Sequence, residues 1–531
     1  MLNAHHWWQR GIVYQVYPRS FQDSNGDGVG DLKGITSRLD HFVDFGIDAV
    51  WISPIYPSPM VDFGYDVSDY KDIHPLFGDL EDFDELVEAA HARGLKIVLD
   101  FVPNHTSDQH PWFIESRSSR ENAKRDWYVW CDAKPDGSVP NNWISEFGGS
   151  AWTWDEATEQ YYYHAFLKEQ PDLNWRNAAV RAAMLDVLRF WLDRGVDGFR
   201  VDAIHHLIEA EHLRDNPLNP DWREGQSPAR RLIRLYSLDQ EETHEAIAEM
   251  RALTDTYEDR VLIGEASLPI EQLMAYYGDQ MPGFHLPFNF HLIKSPWEPS
   301  TIAALIEQYE RALGGGRERW PNWVLGNHDR SRVASRVGPA QARVAAMLLL
   351  TLRGTPTIYQ GEEIGMEDVP IPTQAVCDPW EKNVPGLGLG RDPERTPMQW
   401  DMNEKAGFTS GDPWLPLSND HMVVNVQRQR DDPCSMLSLY RALIALRRRE
   451  PALSIGVLVR AEAIGSVLTY RRFHAGRWLS IALNFSNEPQ ALENGSDAHE
   501  ILISTHLDRA ERSNGSTVPL RANEGIVMSA A

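Results

Sequence analysis

The sequence predicts an α/β protein: a (β/α)8 TIM barrel, a small domain inserted after strand three, and a C-terminal antiparallel β-domain. Three observations support this fold class. Eight short apolar runs end in polar residues, amphipathic stretches separate these runs, and the pattern changes to short alternating segments after about residue 450. The chain has 531 residues, which leaves room for additions to a barrel of about 250 residues.

The eight apolar runs are the predicted barrel strands. Short apolar runs separated by helical patterns indicate parallel strands with crossover helices, and eight such units favour a closed barrel over an open sheet. Two of the predicted crossover helices cover Phe83–Arg93 and Ala182–Arg194. The runs are Val13–Tyr17, Ala49–Ile55, Lys96–Val102, Gly198–Ala203, Val261–Ala266, a weaker His285–Phe290, Trp323–His328 and Pro356–Gln360.

One connection is too long for a loop. Roughly 70 residues, from His105 to Leu173, lie between the third and fourth runs, and a structureless loop of that length is unusual inside a compact domain. We therefore assign residues 1–104 and 174–450 to the barrel and residues 105–173 to an inserted domain. Residues 451–531 form the predicted C-terminal β-domain, with strands at Val457–Val459, Ser466–Phe473, Trp478–Asn484 and His499–Ser504.

Composition narrows the class of partner. There are 77 acidic and 51 basic residues, a formal net charge of −26, which disfavours binding to nucleic acid or to an anionic membrane. An acidic surface suits a neutral substrate, although it also serves solubility alone. We expect a monomer or homodimer.

Targeting features point to the cytoplasm. The first residues lack a basic segment followed by an apolar core, so no signal peptide is predicted. No apolar run is long enough to span a membrane. Three widely spaced cysteines, Cys131, Cys377 and Cys434, fit neither a disulfide framework nor a zinc site.

Acidic residues follow the apolar runs where a barrel would place its active site. Asp202, Glu265 and Asp329 stand at the ends of runs four, five and seven, and Asp100 lies within run three. One such acid is more often a capping or ion-pairing residue. Because four runs repeat the pattern, a shared catalytic site is the better interpretation.

Two of these carboxyl groups suit the cleavage of a glycosidic bond. That reaction needs one carboxylate at the anomeric carbon and one carboxylic acid that protonates the leaving oxygen. Arg200 lies two residues before Asp202, on the same face of its strand, where it would keep an aspartate nucleophile ionised. Glu265 ends an otherwise apolar strand, which favours the proton-carrying role.

Four segments resemble the α-amylase superfamily, glycoside hydrolase family thirteen: DFVPNH (100–105), GFRVDA (198–203), GEAS (264–267) and NHD (327–329). The resemblance covers essentially the whole chain. It implies that Asp202 is the nucleophile, Glu265 the acid/base and Asp329 the transition-state stabiliser. The sugar in the first subsite would be bound by His105, Arg200 and His328. The family retains anomeric configuration, so the two catalytic carboxyls should lie about 5–5.5 Å apart.

Further segments resemble the exo-acting α-glucosidase and oligo-1,6-glucosidase branch: 60–70, 170–175 and 390–400. In that branch, residues matching Asp62 and Arg391 close the pocket around the non-reducing glucose. This implies release of single glucose units from small α-glucosides. Tyr65 would stack on the sugar, and Phe147 and Phe166 would form the pocket wall.

The residue after the nucleophile bears on linkage. The branch tends to have valine there for α-1,6 linkages and alanine or threonine for α-1,4 linkages, so Ala203 favours maltose and maltooligosaccharides. A difference of this size changes selectivity by about 10- to 200-fold. The alternatives are an oligo-1,6-glucosidase or a sucrose- or trehalose-processing relative, and a non-catalytic transporter-associated protein is far less favoured. Transglucosylation, in which an acceptor alcohol intercepts the glucosyl-enzyme, is compatible with the same residues.

Residues 23–31 predict a structural cation site. Oxygen ligands at alternate positions resemble the start of a calcium loop, but Gly34 replaces the glutamate that would complete an EF-hand. Related α-glucosidases carry a similar loop, which implies Ca2+, or else Mg2+; a metal-free turn is the remaining alternative. No cofactor is expected for catalysis. The predicted ligands are Asp23, Asn25, Asp27, the Val29 carbonyl and Asp31.

Overall fold

The computed structural model describes residues 5–314, 319–493, 499–513 and 516–530; residues 1–4 of the segment inspected for a signal peptide lie outside this part. Strands and helices are numbered along the chain. The α-helices are α1 Trp7–Arg10, α2 Leu32–Ser37, α3 Leu39–Phe45, α4 Leu80–Ala92, α5 Pro111–Ser118, α6 Ala178–Asp193, α7 Glu242–Thr254, α8 Ile270–Leu273, α9 His291–Lys294, α10 Pro299–Leu313, α11 Val333–Val337, α12 Pro339–Thr351, α13 Pro379–Asn383, α14 Val426–Arg430, α15 Met436–Arg449 and α16 Pro451–Ser454.

Eight parallel strands close into a barrel, which confirms the predicted fold class. Their order around the barrel is β1-β11-β10-β9-β8-β7-β3-β2, each pairing in parallel with its neighbours. Each predicted run overlaps one of these strands. The strands are β1 Val13–Val16, β2 Ala49–Ile52, β3 Lys96–Phe101, β7 Gly198–Val201, β8 Val261–Glu265, β9 Leu286–Asn289, β10 Asn322–Val324 and β11 Thr355–Tyr359.

Several strands end earlier than predicted. β2 ends at Ile52 rather than Ile55, β7 at Val201 rather than Ala203, and β10 at Val324 rather than His328. The polar residues that follow turn out of the sheet into loops, where their side chains can meet over the carboxyl end of the barrel. This is where Asp202 and Asp329 lie.

Apolar side chains fill the barrel and the layer around it. The interior cluster contains Trp51, Val98, Ile263 and Phe288, all buried. A larger cluster joins the outer faces of the strands to crossover helices such as α4 and α6, which begin close to the predicted positions. Asp79 caps α4 and Asn177 caps α6 through their side chains. These helices hold the strands, and therefore the loops after them, in fixed register.

The segment between β3 and β7 contains its own small sheet. Strands β4 Trp130–Cys131, β5 Trp152–Asp155 and β6 Gln160–Tyr163 pair in antiparallel order β4-β6-β5. Trp143, Trp152 and Tyr163 pack together as a separate buried cluster. This agrees with the predicted insertion, and the exact boundaries at residues 104 and 173 stay a prediction.

The C-terminal segment is antiparallel, as predicted, but has more strands than the sequence indicated. A six-stranded sheet has the order β12-β13-β14-β19-β16-β17, and β15 pairs with β18. The four predicted strands correspond to β12, β13, β14 and β16. The strands are β12 Val457–Ile464, β13 Val467–His474, β14 Arg477–Asn484, β15 Gln490–Glu493, β16 His499–Ser504, β17 Arg512–Ser513, β18 Thr517–Leu520 and β19 Gly525–Ala530.

Across the described ranges, no helix is long and apolar enough to cross a membrane. Cys131, Cys377 and Cys434 are free thiols.

Candidate active site

A pocket opens over the carboxyl ends of the barrel strands. Its volume is about 350 Å³, which is within the usual size of a small-molecule site. Ten of the twelve residues predicted to act on or bind the sugar line it, and the other two, Arg200 and His328, are fully buried beneath. The ten are Asp62, Tyr65, His105, Phe147, Phe166, Asp202, Ala203, Glu265, Asp329 and Arg391.

Arg200 joins three carboxyl groups at the floor of this pocket. Its Nη1 donates to Asp100 Oδ1 at 2.8 Å and to Asp202 Oδ1 at 2.5 Å, while Nη2 donates to Glu265 Oε2 at 2.5 Å. The barrel register accounts for this, because Arg200 pairs with Asp100 across β3 and β7, and Glu265 ends the next strand. The guanidinium fixes the predicted nucleophile and the predicted acid/base beside each other.

The same contacts set the protonation of the site. Burial raises the pKa of Asp202 well above its ordinary value; Arg200 opposes this shift, and the carboxyl groups of Glu265, Asp100 and Asp329 add to it. Burial also raises the pKa of Asp100, to about 6. Such a cluster holds a proton more readily than isolated carboxylates do. The predicted roles need Asp202 ionised, so the net rise in its pKa works against the nucleophile role, and Arg200 is the group that favours its ionised form.

Asp329 is held in the opposite state. Burial opposes its ionisation, but Arg391 and Arg395 hold the pKa of its carboxyl well below the usual range. Arg395 Nη2 lies 2.7 Å and Arg391 Nη1 lies 3.3 Å from Asp329 Oδ1. Asp329 is therefore a fixed negative charge that faces the pocket.

Asp62 and Arg391 form an ion pair at the closed end of the pocket. Arg391 Nη2 donates to Asp62 Oδ1 at 2.6 Å. The pair is fixed from both sides: Asp378 accepts from Arg391 Nη2 at 2.6 Å, and Gln170 Nε2 donates to Asp62 Oδ2 at 3.3 Å. The Asp66 carboxylate fixes the backbone at this point, because it accepts hydrogen bonds from the N–H groups of Val61 and Asp62. Both members of this ion pair therefore have further polar partners that hold them in place.

Two neutral histidines lie beside these charges. Burial lowers the pKa of His105 to about 4, and its Nε2 contacts Gln170 Nε2 at 3.0 Å. His328 contacts Gln15 through Nδ1 and Tyr65 through Nε2, both at 2.7 Å. Tyr65 also donates to Asp100 Oδ2 at 3.1 Å and stacks parallel to the His328 ring. Tyr65 therefore positions the floor of the site in addition to its predicted contact with the sugar.

The inserted segment contributes the aromatic wall. Phe147 and Phe166 lie edge to face, with centroids 6.3 Å apart. Phe166 packs on His105, and Phe147 packs on Trp380 of α13, which follows β11. The insertion and the barrel thus enclose the pocket together.

Ala203 connects the nucleophile loop to the acid/base. It has φ 43°, in the left-handed region, and its backbone N–H donates to Glu265 Oε2 at 3.0 Å. A β-branched side chain is strained in that conformation. Ala203 lines the pocket; that it borders the sugar stays a prediction, and its backbone conformation was not evident from the sequence.

Several pocket residues were not predicted from the sequence. Asp378 contacts Arg391, and Arg395 contacts Asp329. Arg395 falls inside the 390–400 segment and could have been found there. The others lie on loops and short helices that no local sequence pattern places beside the pocket. They are Glu146, His205, His206, Arg230, Arg234, Lys294, Arg330 and Trp380.

The predicted cation loop is a chain of side-chain turns. Asp23, Asn25 and Asp27 each accept the backbone N–H two residues later, at 2.9 Å. Asp31 caps α2 by accepting from Gly34 N. Among the described residues, no group of three or more His, Cys, Asp or Glu side chains is placed to hold a metal ion. The donor set proposed here also uses an amide and a carbonyl, and an all-oxygen set fits a hard cation such as Ca2+.

This chain is similar to known proteins in both sequence and structure. Residues 15–456 match the model for the alpha amylase catalytic domain. A probable alpha-glucosidase of Rhizobium meliloti is 44% identical, covering 92% of this chain and 91% of that protein. An oligo-1,6-glucosidase of Parageobacillus thermoglucosidasius is 37% identical, covering 95% and 96%. The crystal structure of an alpha-glucosyl transfer enzyme, XgtA, has a TM-score of 0.93 and 41% identity, covering 99% and 100%.

Proposed function

The chain belongs to the α-amylase family of glycoside hydrolases, and on that premise we propose that it is a retaining exo-α-glucosidase. It releases glucose from the non-reducing end of short α-1,4-linked glucosides, and transglucosylation competes with hydrolysis. The observation that carries the proposal is the Asp62–Arg391 ion pair at 2.6 Å. Because it closes one end of the pocket, a sugar chain cannot extend past the first glucose unit.

The proposed mechanism assigns one step to each carboxyl group. An Asp202 oxygen attacks the anomeric carbon, the bond to the leaving oxygen breaks, and Glu265 gives that oxygen a proton. Water, or an acceptor alcohol, then attacks the anomeric carbon of the glucosyl-enzyme, Glu265 takes its proton, and the bond to Asp202 breaks. Asp329 stabilises positive charge that develops on the sugar ring in both transition states. Two displacements return the original α-configuration.

The linkage proposal rests on Ala203. A methyl side chain at this position leaves room beside Glu265 that valine would fill, which supports α-1,4 over α-1,6 bonds. The second candidate is an oligo-1,6-glucosidase, favoured by the relative of that name; a sucrose- or trehalose-processing activity is the third candidate.

Glucose release from equal concentrations of maltose, isomaltose, sucrose and trehalose tests the proposal. We expect maltose to give the highest kcat/KM and the first product to be α-glucose by NMR. Preference for isomaltose would leave the mechanism intact and refute the linkage assignment. β-Glucose as the first product would refute retention.

Breaking the Asp62–Arg391 ion pair, which we call the clamp, should lower kcat/KM. Replacing Arg391 with lysine removes the planar contact to Asp62 and leaves buried carboxylates poorly paired. We expect kcat/KM for maltose to fall by about 10²- to 10³-fold, the scale of losing one partner of a buried pair. Asp62→Asn should give a similar loss.

A double-mutant cycle separates the clamp from general damage. Arg391→Lys combined with Asp62→Asn should lose much less than the product of the two single effects, because both remove the same interaction. The singles should also release some maltose first from maltotetraose, whereas the wild type releases glucose. Additive losses with unchanged first products would argue against a closing clamp.

We also propose that residues 23–31 bind one Ca2+ with a structural role; Asp23, Asn25, Asp27, the Val29 carbonyl and Asp31 would hold it. Chelation should lower Tm by a few degrees, because a ligand at 100 times its Kd stabilises a protein by about 2.7 kcal/mol. Activity below Tm should persist. Asp27→Ala should remove the calcium dependence of Tm. A Tm that chelator leaves unchanged, with no calcium retained after dialysis, would refute the site.

We propose the cytoplasm as the location. The three free thiols support a reducing compartment. Cell fractionation tests this: we expect the protein in the cytoplasmic fraction, and its recovery in another fraction would refute the proposed location.

A further inference from the structure

Three cations line the pocket beside the predicted acid/base. Arg230, Lys294 and Arg330 all contribute side chains to the lining, and we call them the cationic wall. Lys294 Nζ donates to the hydroxyl of Ser267, two residues after Glu265. Lys294 therefore lies next to the segment that follows Glu265, where the leaving group is expected.

The carboxylates of the pocket already have other partners. Asp202 and Glu265 share Arg200, and Asp329 pairs with Arg395 at 2.7 Å. Asp62 pairs with Arg391. At the edge of the pocket, Glu146 pairs with Arg234 and lies 3.4 Å from His206. Among the described residues, none of these acids forms a direct ion pair with the cationic wall, so the N–H donors of the wall are open to a bound group.

The cationic wall stands apart from the ion pairs of the described residues. Within the part of the chain that the structure describes, Arg230, Lys294 and Arg330 form no ion pair with a carboxylate. Desolvation in the pocket and the like charges of Arg330 and Arg230 lower the pKa of Lys294 to about 8, and the charge of Glu265 opposes this shift. Arg230 and Lys294 are exposed and Arg330 is half-buried, so all three side chains can be reached by an anion that enters the pocket. The cationic wall occurs in a chain whose net charge is −26, so a general excess of base does not explain it.

We infer that the leaving-group side of the pocket recognises an anionic group, a carboxylate or a phosphate monoester, on the aglycone or acceptor. The inference rests on the proposed glucosidase function and refines its substrate class. Guanidinium groups bind planar carboxylates and phosphates by paired hydrogen bonds, and a lysine adds a point charge. A neutral sugar such as maltose offers this wall only hydroxyl groups.

A matched pair of substrates tests this. We compare kcat/KM for 4-carboxyphenyl and 4-carbamoylphenyl α-glucosides, which have similar shapes and differ by one charge. The carbamoyl phenol is the slightly better leaving group, so leaving ability alone favours the neutral substrate. We expect the anionic one to be preferred by about tenfold or more at low salt, with the preference shrinking in about 0.5 M salt.

A phosphate arm separates the two sources of negative charge. Adding 4-(phosphonooxy)phenyl α-glucoside to the comparison shows which anion the wall prefers. Preference for the phosphate or for the carboxylate over the carbamoyl compound supports the inference and names the group. Equal or weaker activity on both anions overturns it.

Variants locate the effect. Arg330→Gln and Arg230→Gln should each lower the ratio of kcat/KM for the anionic and neutral substrates by several-fold. Arg231→Gln is the matched control, because Arg231 is exposed next to Arg230 but does not line the pocket. An unchanged ratio in both wall variants, or an equal fall in the control, overturns the assignment.

Binding without turnover distinguishes this inference from the proposed function. Calorimetric titration with 4-hydroxybenzoate and 4-hydroxybenzamide reports the wall even if no glucoside is cleaved. Tighter binding of the benzoate, weakened in Arg330→Gln, supports the anion site independently of catalysis. Equal binding of the two phenols, while maltose is still hydrolysed, overturns the anion site and leaves the glucosidase proposal intact.

Discussion

Asp202→Ala is expected to lower kcat for maltose by at least about 10⁴-fold, because a residue that forms the covalent intermediate is essential to both displacements. The fold should survive. Arg200 keeps its contacts with Asp100 and Glu265, so the guanidinium is not left without a partner. Asp202→Asn keeps the volume of the side chain and should be as inactive as Asp202→Ala. Retained hydrolysis in either variant would refute the nucleophile assignment.

Azide makes this result specific. In Asp202→Ala a small anion can occupy the space of the lost carboxylate and attack the anomeric carbon of an activated aryl α-glucoside. One displacement inverts configuration, so the product should be β-glucosyl azide. Recovery of β-glucosyl azide by NMR identifies the vacated position as that of the nucleophile. An unfolded variant would give no azide product and would be recognised by its melting curve.

The barrel was predictable because its signals are local and repeated. Each strand is a short apolar run that is buried on both faces, and Val13–Val16 or Lys96–Phe101 can be recognised without knowing their neighbours. The C-terminal segment shows where this fails. β15, β17 and β18 are short and carry polar residues or proline, so their strand character comes from pairing with distant segments rather than from alternation.

The candidate site also has a part that the sequence could predict and a part that it could not. Asp202, Glu265 and Asp329 follow barrel strands, and a barrel brings strand ends together whatever its loops do. The side chains that surround these carboxyl groups come from segments that are distant from them in the sequence. Asp378 reaches Arg391 from 13 residues away, and Arg230, Lys294 and Arg330 converge from three separate segments. No periodicity or motif contains that information, so the cationic wall became visible only in three dimensions.

Glu265→Gln should have an effect that depends on the leaving group. For maltose, whose leaving hydroxyl needs a proton, we expect kcat/KM to fall by about 10²- to 10⁴-fold, the usual contribution of a positioned general acid. For 2,4-dinitrophenyl α-glucoside, which leaves without a proton, glucosylation should be much less affected. The glucosyl-enzyme should then accumulate as a burst, because water no longer has a general base.

The stereochemistry of azide rescue assigns the second carboxyl by contrast with the first. In Glu265→Gln the nucleophile Asp202 is intact, so azide attacks the accumulated glucosyl-enzyme and a second inversion gives α-glucosyl azide. Glutamine retains an oxygen that can accept from Ala203 N–H, now 3.0 Å from Glu265 Oε2, so the loop should keep its place. Exchange of the two azide products between the variants would mean that the roles of Asp202 and Glu265 are reversed. An equal loss on both substrates would mean that Glu265 positions Arg200 rather than transferring a proton.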